Sequence, residues 1–324
     1  MNPTANPTAN PMSNAPARLR GVITALVTPL RSDGSLDLEA FARLLADQVS
    51  AGVAGVIPCG TTGESPTLTL DEKKTLITEA VRACRGSRTA VIAGTGSNST
   101  SESVALSSWA SKAGVAGVLI VTPYYNKPSA SGLLAHFTAV ADSVECPVML
   151  YNVPGRTGVS LPPETAARLA AHPRIRFLKE ATGNVALTSE FIDQFRATGH
   201  SLEIFSGDDA TFLPLLSAGA AGLVSVASNL FPREMVQIQA LFDAGRNREA
   251  FELHQHYYPL FRDLFVESNP VPIKAALDFV APEAARSLCG ATVRAPLAQL
   301  GAENRRKLEA SLGRCGFKPG GGTR

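Results

Sequence analysis

The chain has 324 residues, of which 45% are hydrophobic and 18% charged, with a formal net charge of +2. This length and apolar content allow one sizeable core, and the near balance of charge offers no field that would draw nucleic acid as a partner. No apolar run reaches the roughly 18 residues needed to cross a bilayer, so no membrane partner is expected either.

The first residues, MNPTANPTANPMSNAPARLR, repeat the unit NPTA and contain no apolar stretch of the secretory kind. Residues 1–18 therefore read as a disordered Pro/Asn-rich tail, dispensable for fold and activity. Short apolar, β-rich runs follow near 22–28, 55–59, 89–94, 117–122, 146–152, 175–180, 203–206 and 222–227. Helix-like stretches such as LDLEAFARLLADQVSAG and STSESVALSSWASKAG separate them. Three joins resemble one another: SAGVAGVIPCG (50–60), KAGVAGVLIVTP (112–123) and SAGAAGLVSVAS (217–228). Each reads as a helix end, a glycine turn that tolerates positive φ, and a strand.

Eight strands alternating with helices predict an α/β fold, a closed (β/α)8 TIM barrel over 19–230. An open doubly wound sheet is the rival, and it would carry a dinucleotide fingerprint. The nearest candidate, GTGSNS at 94–99, has Ser99 where a third glycine belongs. No nucleotide cofactor is expected. Residues 231–315, through REMVQIQALFDAG and NREAFELHQHYYPLFRDLF, read as a C-terminal helical extension of the same domain, with 316–324 a flexible tail. The five cysteines (Cys59, Cys84, Cys146, Cys289, Cys315) are widely spaced with no C-x-x-C pair, which suits a reduced cytoplasmic setting. His254 and His256 lie two apart in an expected helix and point to different faces, so no metal site is expected.

In such a barrel the chemistry sits at the C-terminal ends of the strands. Those ends read GTTGES (60–65), TPYYNKPS (122–129), YNVPGRTG (151–158), KEATGN (179–184) and SGDDA (206–210), all rich in glycine, hydroxyl and amide groups. In the sixth strand, alternation places Phe177 and Lys179 on one face. If that face is the barrel interior, the ammonium is costly to desolvate, and a neutral amine there is a nucleophile for Schiff-base chemistry on a 2-oxo acid. A lysine that merely snorkels out of a strand end is the alternative. Tyr151, on the neighbouring fifth strand, could relay protons to and from a carbinolamine, or be a core tyrosine with its hydroxyl on a carbonyl. Thr61 and Thr62 offer adjacent hydroxyls on a glycine-flanked turn suited to a carboxylate, though an ordinary turn looks the same. Arg156, between Pro154 and Gly158, could grip a second carboxylate with two parallel hydrogen bonds.

Taken in order, GTTGES, VIAGTGSNST, VTPYYNKPS, YNVPGRTG, LKEATGN, SGDDA and LFVESNPVPIK resemble the dihydrodipicolinate synthase family, pyruvate-dependent class I aldolases of the superfamily that includes N-acetylneuraminate lyase. The resemblance covers about residues 20–315. It implies a lyase of lysine and diaminopimelate biosynthesis in which Lys179 forms an imine with pyruvate and Thr61 and Thr62 hold its carboxylate. Gly207 and Val224 would line the pocket. Tyr151, Thr62 and Tyr125 would form a proton relay, Tyr125 coming from a neighbouring subunit of a homotetramer built as a dimer of dimers. The second substrate would be L-aspartate 4-semialdehyde, its carboxylate on Arg156, a residue that members acting on sugar acids generally lack at this turn. No cofactor is implied. Ser65, Asn98, Glu102 and Tyr124 match a lysine effector site of sensitive relatives, but Leu70 and Lys73 stand where those carry histidines. Lysine inhibition is accordingly expected to be weak or absent. Two other functions fit less of this pattern: an aldolase or dehydratase acting on a keto-deoxy sugar acid, and a non-catalytic pyruvate-binding regulator.

Overall fold

The computed structural model describes residues 19–281 and 288–320. The expected tail at 1–18 lies outside the described residues, as does 321–324 of the expected C-terminal tail. Strands β1 (Gly21–Ala25), β2 (Gly55–Ile57), β3 (Ala90–Gly94), β4 (Gly117–Val121), β5 (Val148–Asn152), β6 (Ile175–Glu180), β7 (Glu203–Ser206) and β8 (Gly222–Ser225) fall inside the expected runs or within a residue of them. All pair in parallel with their sequence neighbours, and β8 closes on β1. The result is the expected (β/α)8 barrel.

Between the strands lie α1 (Leu38–Ala51), α2 (Leu70–Cys84), α3 (Thr100–Lys112), α4 (Ala130–Asp142), the single-turn α5 (Pro154–Thr157), α6 (Pro163–Leu169), α7 (Val185–Thr198) and α8 (Phe212–Ser217). The three repeated joins contain glycines in the left-handed region, Gly52 (φ 75°), Gly114 (φ 89°) and Gly219 (φ 105°), where a side chain would be strained. At the start of α2 a capping box sets the first turn: the backbone N–H of Glu72 donates to Thr69 Oγ1 (3.2 Å) and that of Thr69 to Glu72 Oε2 (2.8 Å).

The helical run after residue 230 opens with α9 (Pro232–Asp243), which packs on β1, α1 and α8 and so takes the eighth helical place around the barrel. Among the described residues three further helices follow, α10 (Asn247–Asp263), α11 (Val271–Val280) and α12 (Ala302–Arg314), with α10 and α11 both packed on α12. Phe231 joins the layers, its ring stacked on Tyr257 with centroids 4.6 Å apart.

Apolar side chains form two cores. One lies between strands and helices; the other fills the barrel interior with Ile23, Ile57, Ile92, Leu119, Met149, Phe177, Phe205 and Val224. Each strand alternates between the two, which fixes the direction of every side chain near its end. All five cysteines are buried free thiols, and no described helix is long and apolar enough to cross a membrane.

Candidate active site

Phe177 belongs to the interior core, so Lys179, two residues on, faces the same axis at the C-terminal mouth. It pairs in register with Tyr151 on one side and Phe205 on the other. The lysine is only 6% exposed, and its Nζ lies 4.1 Å from the centroid of the Tyr151 ring. Glu180 points the opposite way with both carboxylate oxygens bonded, accepting from Asn152 Nδ2 (2.7 Å) and the backbone N–H of Thr182 (2.6 Å). Space for the lysine comes from Gly207. A Cβ there would stand 2.5 Å from Ala181 Cβ and 3.1 Å from Lys179 Cε, closer than packed carbons tolerate.

Above Lys179 opens a cavity of about 390 Å³, bordered by Thr61, Thr62, Tyr151, Arg156, Gly207 and Asn269. The Gly60–Ser65 turn closes it on one side, held by backbone bonds from Gly63 to Gly60 (3.1 Å) and Glu64 to Thr61 (3.0 Å). Thr28 Oγ1 adds a bond to the Gly63 carbonyl (2.7 Å). Thr62 is buried, and its Oγ1 accepts from Asn269 Nδ2 at 2.8 Å. Asn269 Oδ1 is buried at the same cavity without a partner among the described residues. A buried acceptor left open in this way costs stability unless something else satisfies it.

Arg156 is exposed at the rim on α5, a turn that Pro154 initiates. Thr157 ties this turn to the YYN loop: its hydroxyl donates to the Val159 carbonyl (2.8 Å), and its own carbonyl accepts from the Tyr125 N–H (3.3 Å). Tyr125 itself is not in the cavity. It is 89% exposed, with a left-handed backbone (φ 72°). Val224 lies below the mouth in the interior core, and Val226, two residues on, borders the cavity instead. The carboxylate of buried Asp209 accepts from the N–H groups of Val226 (3.0 Å) and Ala227 (3.1 Å) and from Ser225 Oγ (2.5 Å). Burial pushes its pKa up to about 6, against the pull of those bonds.

A second cavity of about 400 Å³ shares Thr61, Tyr151, Val153 and Arg156 with the first and extends to Ser65, Lys73, Glu102 and Tyr124. Asn98 does not border it; its carbonyl accepts from Asn126 Nδ2 (2.9 Å). Glu102 accepts from Ser97 Oγ (2.8 Å), and Leu70 is 53% exposed at the start of α2.

Asn269, in the LFVESNPVPIK segment, and Glu64 and Lys274 are not among the site residues expected from sequence. The available signal was a lysine inside the apolar run VPIKAALDFV, which a helix can bury only with a partner.

Arranged in this way, the site can present an amine to a carbonyl carbon, hydroxyls and N–H groups to one carboxylate, and a guanidinium to another. Residues 18–314 match the dihydrodipicolinate synthetase family. The 4-hydroxy-tetrahydrodipicolinate synthase of Leptospira biflexa is 46% identical over 281 residues, 87% of this chain and 92% of the relative. Among solved structures, the same enzyme from Methylacidiphilum fumariolicum SolV superposes with a TM-score of 0.86 at 44% identity, over 92% of this chain and 96% of the other. A dihydrodipicolinate synthase from Cyanidioschyzon merolae, solved with lysine bound, gives a TM-score of 0.86 at 40% identity, over 92% and 98%.

Proposed function

The chain belongs to the dihydrodipicolinate synthetase family, and from that premise we propose how its residues condense pyruvate with L-aspartate 4-semialdehyde to 4-hydroxy-tetrahydrodipicolinate. The observation that carries the assignment is Lys179: a buried amine against the Tyr151 ring, in one cavity with Thr61, Thr62 and Arg156. Its Nζ adds to the ketone of pyruvate, and the carbinolamine loses water to give the imine. Thr61 and Thr62 hold the pyruvate carboxylate on the Gly60–Ser65 turn. Loss of a methyl proton gives the enamine, whose carbon attacks the aldehyde of the semialdehyde. The amine of the second substrate then displaces Lys179 by transimination, closing the ring.

Tyr151 moves protons at the carbinolamine, with Thr62 as the next hydroxyl. Because Asn269 donates to Thr62 Oγ1, the threonine's own proton stays available to the relay. Arg156 at the rim binds the semialdehyde carboxylate, which favours this substrate over a keto-deoxy sugar acid. Tyr125 completes the relay in a neighbouring subunit of a homotetramer. Its exposed phenol on a left-handed backbone supports that role, since such a conformation persists only where something holds it. Lysine, if it binds, meets Ser65, Glu102 and Tyr124 in the second cavity, with the like charge of Lys73 opposing it. Inhibition is therefore weak or absent, and the enzyme works in the cytoplasm.

The test follows turnover of pyruvate and L-aspartate 4-semialdehyde through NADPH oxidation by added dihydrodipicolinate reductase. Turnover that disappears in Lys179→Ala, together with borohydride-dependent attachment of pyruvate to Lys179 in the native chain, is the expected result. Attachment at another lysine, or none, would overturn the assignment.

A further inference from the structure

We propose that Glu64 and Lys274 are positioning residues for the pyruvate carboxylate site: a buried ion pair through which the C-terminal extension holds the Thr61–Thr62 turn in its binding shape. The inference rests on the role given to that turn above.

Two non-glycine residues in the left-handed region, Cys59 (φ 58°) and Glu64 (φ 57°), bracket the turn. A residue with a Cβ stays in that region only when its surroundings over-determine it. For Glu64 the restraint is visible at both carboxylate oxygens. Oε1 accepts from Lys274 Nζ at 2.5 Å, and Oε2 accepts from the backbone N–H of Arg294 at 2.9 Å. Lys274 Nζ donates a second bond to the Thr292 carbonyl at 2.7 Å. The Glu64 and Lys274 side chains are 1% and 0% exposed, so neither charge can turn to water.

Placement argues for function as well as cohesion. An extension that needed only attachment could dock through apolar contacts, as α10 does through Phe231 and Tyr257. Here the charged anchor falls on the second residue after Thr62. Asn269, five residues before Lys274, donates to Thr62 Oγ1 itself. One segment thus sets the hydroxyl through Asn269 and the backbone that presents it through Lys274. Buried pairs add little net stability over apolar replacements, but removing one partner strands the other charge. The pair therefore specifies a conformation more than it stabilises the fold.

Neutralising both groups together, Glu64→Gln with Lys274→Met, strands no charge and keeps the shapes. This double variant is expected to melt cooperatively, with its pyruvate KM raised about tenfold or more and borohydride capture of pyruvate slowed in parallel, because small displacements of binding groups are costly. The KM for L-aspartate 4-semialdehyde should change by less than about threefold. A folded double variant with native pyruvate KM and capture rate would overturn the proposal and leave the pair as structural cement. Should the double variant not fold, Glu64→Asp keeps both charges and draws the carboxylate back by one methylene. It is expected to raise the pyruvate KM about threefold, and an unchanged value would likewise overturn the proposal. Failure of the native chain itself to capture pyruvate would sink the assignment of the turn, an outcome distinct from either of these.

Discussion

The lower and upper halves of the barrel interior are built by the same strands yet obey different rules. Below Lys179 the interior is apolar and closed, with Phe177 and Phe205 packed edge to face at 6.1 Å between centroids. Above it, an amine, a phenol, hydroxyls and an amide meet around an open cavity. Glu180 and Asp209, buried beside this cavity but not lining it, accept bonds at both carboxylate oxygens. At the cavity, Asn269 Oδ1 has no partner among the described residues. An apolar floor of this kind keeps the polar end above it rigid and dry.

The sharpest way to break this contrast is to delete one side chain from each half. Lys179→Ala should lower turnover by about three orders of magnitude or more, since the covalent route is lost, with no fall in melting temperature. Phe205→Ala should instead cost about 3–5 kcal/mol of stability, read by denaturant unfolding, while turnover per folded molecule changes little. If Phe205→Ala were silent in stability, or Lys179→Ala retained turnover, the division of labour would fail. Gly207→Ala tests the boundary between the halves. The added carbon collides with Ala181 and crowds Lys179 Cε, so kcat/KM should fall about 10- to 100-fold, with a smaller change in stability.

Arg156→Ala should raise the KM for L-aspartate 4-semialdehyde about tenfold or more, while borohydride capture of pyruvate proceeds at the native rate. Slower capture would mean that the rim and the floor of the cavity are not separable. The smallest effect concerns a polar cluster spent on structure. Arg294 holds the Glu72 carboxyl at about 2, mainly through a direct side-chain hydrogen bond. A depressed folded pKa contributes stability that is complete above the unfolded value of 4.5 and is lost as pH falls through about 2. Melting temperature should therefore decline across that window, and Glu72→Gln should flatten part of the decline. An equal slope in the variant would remove Glu72 from the account.

Much of this was legible without coordinates. The glycine joins at 50–60, 112–123 and 217–228 mark strand starts through local backbone preference, and eight such strands imply the barrel. Parity then carries Lys179 inward with Phe177, and chain order puts Tyr151 beside it. Arg156 could be placed at a rim because Pro154 and Gly158 frame a turn. Val224, which the resemblance put in the pocket lining, faces the interior core, and Val226, two residues on, borders the cavity. The eighth helix was likewise visible as a helix, but not as the one that closes the ring on β1.

By itself, then, the sequence determined the strands, their order, and the chemistry offered at their ends, because each depends on contacts a few residues apart and leaves a period or a turn signal. Only the tertiary structure decided which groups complete the site. Asn269 meets Thr62 across 207 positions of chain, and Lys274 meets Glu64 across 210. Such pairings carry no local period. They arise where the closed barrel and the extension bury polar groups together, and the cost of leaving a buried charge or donor unpaired selects the partner.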